Sequence, residues 1–374
     1  MARAVVEVNL NAIKHNIKYL KGKTSSQVLA VVKADAYGHG LVPVAKVAVE
    51  SGANWLGTAL LEEAIELRKN DLQVPIIAWL TPIGEDFKTA ISLNIDLAIS
   101  STEVLDEIVA ASEQVNKIPR LHIEIDTGMS RGGVGDQWEI LIPKIVKLVK
   151  DKRVEIIGAW SHFARADEPD EIMNQAQLEL LIKKVEELKS KGISPEYIHM
   201  ANSAAAITNK ESHNSIIRWG IGLYGLTPDL NNLGNSKSLG LEPAMRLKAK
   251  LNLVKQVKSG ATVGYGATAS VVQDTKLGVV SMGYADGIPR NASKNAGVFV
   301  SGKKAPIIGR VSMDQFVVDL GIDSLAKTGD EVIVFGDGSH GEYTVDQWAQ
   351  ACGTINYEIV TRIGPRVPRI YTYE

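Results

Sequence analysis

The sequence predicts an α/β chain in which a (β/α)8 barrel is followed by a mostly-β C-terminal domain. Three observations carry that prediction. Eight short apolar runs lie between Val28 and about Tyr224, separated by segments of helical period. The composition shifts through the Asn/Gly/Ser-rich stretch Asn231–Gly240. Beyond it the apolar runs are β-type and broken by glycine. The eight runs are Val28–Lys33, Trp55–Thr58, Ile76–Trp79, Leu97–Ile99, Leu121–Ile125, Ile156–Trp160, Tyr197–Met200 and Ile216–Arg218. Amphipathic stretches such as Leu61–Lys69 and Gln177–Lys191 lie between them, with apolar residues at three- and four-residue spacing. Eight such units close a barrel. An open doubly wound sheet is the rival, but no G-x-G-x-x-G follows the first run. The second domain is expected to hold strands at Arg246–Val257, Gly278–Met282, Gly297–Val300, Phe316–Leu320 and Glu331–Phe335, and a helix around Val345–Ala351. The boundary is placed so that residues 1–236 form the barrel and 237–374 the β-rich domain. Ala4–Leu10 alternates in β fashion and is read as a strand that pairs with the second domain.

Size and charge narrow the function. A chain of 374 residues is near the length of two average domains. With 45% hydrophobic and 22% charged residues it has the composition of an ordinary globular protein. A formal net charge of −2 gives no basic face for nucleic acid or anionic lipid, so the expected partner is a small molecule. No apolar run reaches the roughly 18 residues that span a bilayer, and Met1–Leu10 lacks the order of an export signal, so a cytoplasmic location is expected. Cys352 is the only cysteine, which excludes an intrachain disulfide and a cysteine metal cage. It is read as a buried structural thiol, and no metal is called for.

In a parallel barrel the reactive side chains sit at the C-terminal ends of strands. Run one closes with Lys33, either a surface charge or, if desolvated, an amine able to form an imine. Run five closes with Glu124 and Asp126 ahead of Arg131, either a salt-bridged rim or part of a site. Run six leads into Ser161 and His162, a structural histidine or a catalytic one. Runs seven and eight lead into Asn202-Ser203 and Arg218 with Gly220-Ile221-Gly222, where barrels often hold phosphate on backbone N–H groups. A lysine with a phosphate cradle suggests a phosphorylated aldehyde held as an imine. That leaves a sugar-phosphate aldolase and a pyridoxal-phosphate enzyme in competition. Arg218 favours the second, because a pyridine nitrogen needs a partner and a sugar phosphate offers no use for a guanidinium there.

The segments VVKADAYGHG, DTGMSRGG, WSHFA, ANSAA, RWGIGLYG, GYGAT, GYADG, GRVSMDQ and INYEIVTRIGPRVPR, in this order from Lys33 to the C-terminus, resemble those of alanine racemases. The resemblance implies a pyridoxal 5'-phosphate (PLP) barrel and a head-to-tail homodimer that interconverts L- and D-alanine and supplies D-alanine for peptidoglycan. It implies that Lys33 holds the cofactor as an imine and acts as base on one face of the substrate carbon. Tyr265 of the partner subunit would act on the other face, as racemisation by two bases requires. Arg218 would hydrogen-bond the pyridine nitrogen, which then stays an unprotonated acceptor, and His162 would bond Arg218. Tyr37, Ser203, Gly220, Ile221 and Tyr357 would surround the phosphate. Arg131 and the backbone N–H of Met313 would receive the substrate carboxylate, with Asp314 beside them. Asp167, Arg290, Arg310 and Ile355 would flank the entrance outside Tyr357 and Tyr265.

One position departs from the pattern. Many members carry a carbamylated lysine where this chain has Glu124, and the carbamate pairs with the arginine matching Arg131. Glu124 is expected to supply that negative charge directly; the alternative is a bound anion. Three rival functions remain from the residues: a broader small-amino-acid racemase acting on serine, a non-enzymatic PLP carrier, and a PLP decarboxylase. Tyr265 and GRVSMDQ disfavour the carrier, and Arg218 disfavours the decarboxylase.

Overall fold

The computed structural model describes residues 2–373. Its first strand, β1 (Ala4–Asn9), ends at a helix cap: the Asn9 side chain accepts from the N–H groups of Asn11 and Ala12 and starts the helix Leu10–Lys21. Eight parallel strands follow: β2 (Gln27–Val31), β3 (Trp55–Thr58), β4 (Ile76–Ala78), β5 (Ile95–Ile99), β6 (Arg120–Glu124), β7 (Glu155–Trp160), β8 (Tyr197–His199) and β9 (Ile216–Trp219). Each pairs with the next from β2 to β8, and β2 also pairs with β9. The ring closes between β8 and β9, where Ser215 N–H donates to Ile198 O at 3.0 Å and Arg218 N–H to Ala201 O at 2.9 Å. The product is a TIM barrel. β3, β4 and β5 are buried at every residue, as strands covered on both faces must be, and this is why they read as apolar runs, interrupted only by the buried Thr58 of β3 and Asp96 of β5.

The second sheet obeys the other rule. β1 and the first half of the long strand β10 (Met245–Val257), as far as Leu251, alternate buried and half-buried residues, one face on the core; the rest of β10 is exposed or half-buried. β1 pairs antiparallel with β10 and parallel with Arg369–Thr372, so the chain's first strand completes the sheet built by its last third. The expected strand Gly278–Met282 lies earlier, at Thr275–Val280, where it is sandwiched between β10 and Phe316–Asp319. Two strands, Lys303–Pro306 and Arg369–Thr372, have no apolar run to announce them. Both lie at the sheet's outer positions, where charged side chains and proline are tolerated. Cys352 is buried at the end of the helix Val345–Cys352, and burial raises its thiol pKa to about 11. No helix among the described residues is long and apolar enough to cross a membrane.

Candidate active site

The first strand of the barrel ends at Val31, two residues before Lys33. The chain then makes a left-handed turn in which Ala34, Asp35, Ala36 and Tyr37 have φ of 53°, 54°, 52° and 52°. In L-residues that backbone costs about 1–2 kcal/mol per residue, so specific bonds must hold it. Glu63 accepts from Ala34 N–H at 2.6 Å, Ala36 N–H donates to Val32 O at 2.8 Å, and the Asp35 carboxylate accepts from Leu41 N–H at 2.8 Å. The turn sets Lys33 at the mouth of the barrel, with Nζ 6.0 Å from the Trp79 ring centre, and buries the Tyr37 ring against Tyr224. Burial lowers the pKa of the Lys33 ammonium, as do the charges of Arg131 and Arg218, while Glu63 opposes the shift. Lys33 therefore loses its proton more readily than a surface lysine.

A cavity of about 600 Å³ opens above this lysine. Lys33, Tyr37, Glu124, Arg131, His162, Ser203, Arg218, Gly220, Ile221 and Tyr357 all line it. It has further walls in Asn202, expected beside Ser203, and in Trp79 and Trp160, which were not among the expected site residues. A signal existed for them, since Trp79 and Trp160 close runs three and six, where a barrel places its site.

Arg218 is buried and heavily committed. Its NH1 donates to His199 O at 2.9 Å and lies 3.3 Å from His199 Nδ1; its NH2 reaches Ser161 O, His162 Nδ1 and Met200 O at 2.9–3.0 Å. Nε–H has no protein acceptor among the described residues. Burial lowers the guanidinium to about 9, against the pull of the Glu124 carboxylate, so it is still charged at neutral pH. His162, facing that charge in a buried setting, is held well below the usual histidine range and is neutral.

Ser203 and the turn at Gly220 form a small concavity. Ser203 Oγ accepts from Gly220 N–H at 2.9 Å and Gly222 N–H at 3.2 Å. The N–H of Ile221, first in its 3-10 turn, has no acceptor within that turn. A Cβ at Gly220 would lie 3.0 Å from the Tyr37 hydroxyl, so a side chain there would crowd the space that the hydroxyl faces.

Glu124 closes β6 with its Oε1 3.1 Å from where a Cβ on Gly132 would stand. Among the described residues no ion pair joins it to Arg131; the two act on each other through charge across the shared cavity. Burial raises the Glu124 carboxyl to about 7, with Arg218 and Arg131 pulling it down.

The other candidate residues lie elsewhere. Tyr265 is 72% and Met313 53% exposed, and neither lines the cavity of its own chain. Asp314 pairs with Arg366 at 2.7 Å on the surface. Arg290 and Ile355 are exposed, and Arg310 is exposed beside Gly266, next to Tyr265. Asp167 is close enough to Tyr357 to raise its phenol pKa, though burial does more.

With this geometry in view, comparison with known proteins is decisive. Residues 8–228 match the family "Alanine racemase, N-terminal domain" and residues 244–371 match "Alanine racemase, C-terminal domain". The chain belongs to the alanine racemase family. The alanine racemase of Salinispora arenicola is 44% identical, with all of both chains covered. That of Thermobifida fusca is 43% identical over 99% of this chain and 98% of its own. The crystal structure of the alanine racemase from D-cycloserine-producing Streptomyces lavendulae superposes with a TM-score of 0.97 at 44% identity, covering 100% of this chain and 97% of that one. The Bacillus anthracis alanine racemase with bound L-Ala-P gives a TM-score of 0.89 at 33% identity, over 100% and 95%. This alanine racemase family member is accordingly an isomerase, an amino-acid racemase whose relatives act on alanine.

Proposed function

We propose that this racemase interconverts L- and D-alanine with PLP, using Lys33 of one chain and Tyr265 of the partner subunit as opposed acid/base groups in a homodimer. The observation that carries the proposal is the make-up of the cavity: one amine, Lys33, shares it with an arginine that has a single uncommitted donor. The cavity residues fit PLP. Arg218 Nε–H suits the pyridine nitrogen, and the Ser203–Gly220–Ile221 concavity with Tyr37 and Tyr357 suits a phosphate. PLP, when bound, withdraws electron density from the substrate α-carbon and so acidifies its proton.

The remaining work falls to the chain. Lys33 Nζ, its pKa lowered, takes or returns the α-proton on one face. Arg131 holds the substrate carboxylate by a charge-assisted pair, assisted by the Met313 N–H of the partner subunit. Asp314 of the partner subunit would flank Met313 as an electrostatic member of the site, its carboxylate balanced by Arg366. Arg218 keeps the pyridine nitrogen unprotonated because a guanidinium does not give up its proton to it. Inversion also needs a proton from the opposite face, and Tyr265 Oη of the partner subunit supplies it. Homodimerisation is supported by the exposure of Tyr265 and Met313 outside the cavity of their own chain. With Asp167, Arg290, Arg310 and Ile355 around the approach, the entrance suits a methyl-sized side chain. The cellular role we propose is cytoplasmic supply of D-alanine for peptidoglycan.

The test is incubation of the protein and PLP with L-alanine in deuterated water. Deuterated D-alanine appearing from the first turnovers supports the reading; no α-exchange in either enantiomer refutes it.

Glu124 gives a pH-dependent prediction. Its carboxyl is neutral below about 7 and charged above it, so the charge that aligns Arg131 is lost as pH falls. KM for alanine should rise through that region in the wild type. Glu124→Gln should hold KM several-fold higher at pH 8–9 and flatten the rise, the cost of roughly 1 kcal/mol in one charge interaction. An unchanged KM profile in that variant would remove Glu124 from substrate binding.

A further inference from the structure

Polar side chains are rare inside a TIM barrel, where layers of branched apolar residues fill the space. This barrel has a line of them. Asp96 on β5, His122 on β6 and His199 on β8 are each 1% exposed. At the far end from the cavity, Arg120 donates to both Asp96 oxygens, Nε at 2.7 Å and NH2 at 3.1 Å. His122 Nε2 lies 3.3 Å from Asp96 Oδ2, His122 Nδ1 lies 3.1 Å from His199 Nε2, and His199 Nδ1 lies 3.3 Å from Arg218 NH1. The line therefore runs from the bottom of the barrel to the guanidinium at its mouth.

The two ends settle which atom carries each proton. Arginine can only donate and an ionised carboxylate can only accept. Arg218 therefore donates to His199 Nδ1, so His199 carries its proton on Nε2 and donates to His122 Nδ1. His122 then carries its proton on Nε2 and donates to Asp96. A His122 protonated on both nitrogens would push the His199 proton onto Nδ1, where a donor would face the Arg218 donor. The surroundings are shaped to this line. A Cβ at Gly158 would lie 2.1 Å from His122 Nδ1, so only glycine admits the ring, and the Trp160 ring stacks on His199 with an interplanar angle of 6°.

We propose that Asp96, His122 and His199 are positioning residues that lock the Arg218 guanidinium through this one-directional hydrogen-bond chain. The proposal rests on the reading that Arg218 Nε–H serves the cofactor nitrogen. The chain occupies an NH1 donor on the barrel side, which holds the guanidinium plane and leaves Nε–H for the cavity. Loosening it lets the plane rotate and weakens control of the pyridine nitrogen. More charge then reaches the cofactor ring, and more turnovers end in transamination, in which alanine leaves as pyruvate and its amino group stays on the cofactor.

The first test is ¹⁵N NMR of the histidine rings in the wild-type holoenzyme at pH 8. Both rings should carry the proton on Nε2 with Nδ1 bare. A proton on His122 Nδ1 or His199 Nδ1 would overturn the chain, whatever the enzyme's substrate proves to be. The second is His122→Phe, which keeps a ring but removes both bonds. We expect kcat for racemisation to fall roughly tenfold, the scale of one lost hydrogen bond to a charged group. KM should stay within about twofold, and pyruvate formed per D-alanine should rise several-fold. A merely structural role would lower the melting temperature and leave the pyruvate fraction at the wild-type value, and that result would overturn the positioning role. If the variant fails to fold, the wild-type NMR result decides. If the wild type does not racemise alanine, the proposed function falls while the NMR result still reads the chain.

Discussion

Lys33→Ala is expected to abolish racemisation, lowering kcat by roughly four orders of magnitude or more. General-base catalysis alone contributes about 10²- to 10⁴-fold, and among the described residues this lysine is also the only amine lining the cavity, so the proposed covalent hold on the cofactor would go with it. Glu124, whose carboxyl stands at about 7, lines the same cavity but is drawn to the Arg218 and Arg131 charges. Tyr37 and Tyr357 are buried with phenol pKa values raised by desolvation, so neither is a ready base, and His162 is committed to Arg218. The variant should fold, because the strained turn is held by Glu63, Asp35 and backbone bonds and not by the Lys33 side chain. Steady-state racemisation in both directions measures the loss, and the melting temperature separates it from unfolding. Residual activity above about one per cent of wild type would point to another base.

Tyr265→Phe should give a different failure. The change removes one hydroxyl from an exposed side chain, so stability should move by less than about 0.5 kcal/mol. Racemisation should fall about 10²- to 10⁴-fold, while Lys33 still exchanges the α-proton on its own face. In deuterated water one enantiomer should then gain α-deuterium without inversion, and the other should exchange slowly. Equal loss of exchange from both enantiomers would mean that Tyr265 does not act on one face.

Much of this site could be read from the amino acids because barrel strands buried on both faces stand out as apolar runs and the residues closing them point at the mouth. Lys33, Glu124, His162 and Arg218, which that rule selects from the residues alone, all line the one cavity. The left-handed turn after Lys33 could not be read in this way. Of Ala-Asp-Ala-Tyr only Asp is a residue type that visits positive φ, and the turn exists because Glu63, on the helix Leu61–Lys69 that follows β3, and Leu41 satisfy its backbone and side chain. The buried chain from Asp96 to His199 was also hidden. A lone histidine within an apolar strand looks like a satisfied core residue until strands far apart in sequence are brought side by side. The relation of Glu124 to Arg131 is of the same kind: residue types suggested a pair, and the fold gives a shared cavity without direct contact. Lys303–Pro306 and Arg369–Thr372 were missed because sheet edges do not need apolar residues.

The central claim is that each site takes Lys33 from one subunit and Tyr265 from the other, and mixing two inactive variants tests it directly. Lys33→Ala and Tyr265→Phe chains, combined in equal amounts and allowed to exchange subunits, should form mixed dimers in about half of the population. Each mixed dimer would hold one site with both native residues and one with neither, so activity should recover to about one quarter of wild type. If native mass spectrometry detects the mixed dimers and activity stays at the sum of the two parents, the site does not combine these residues across the subunits, and the account is wrong.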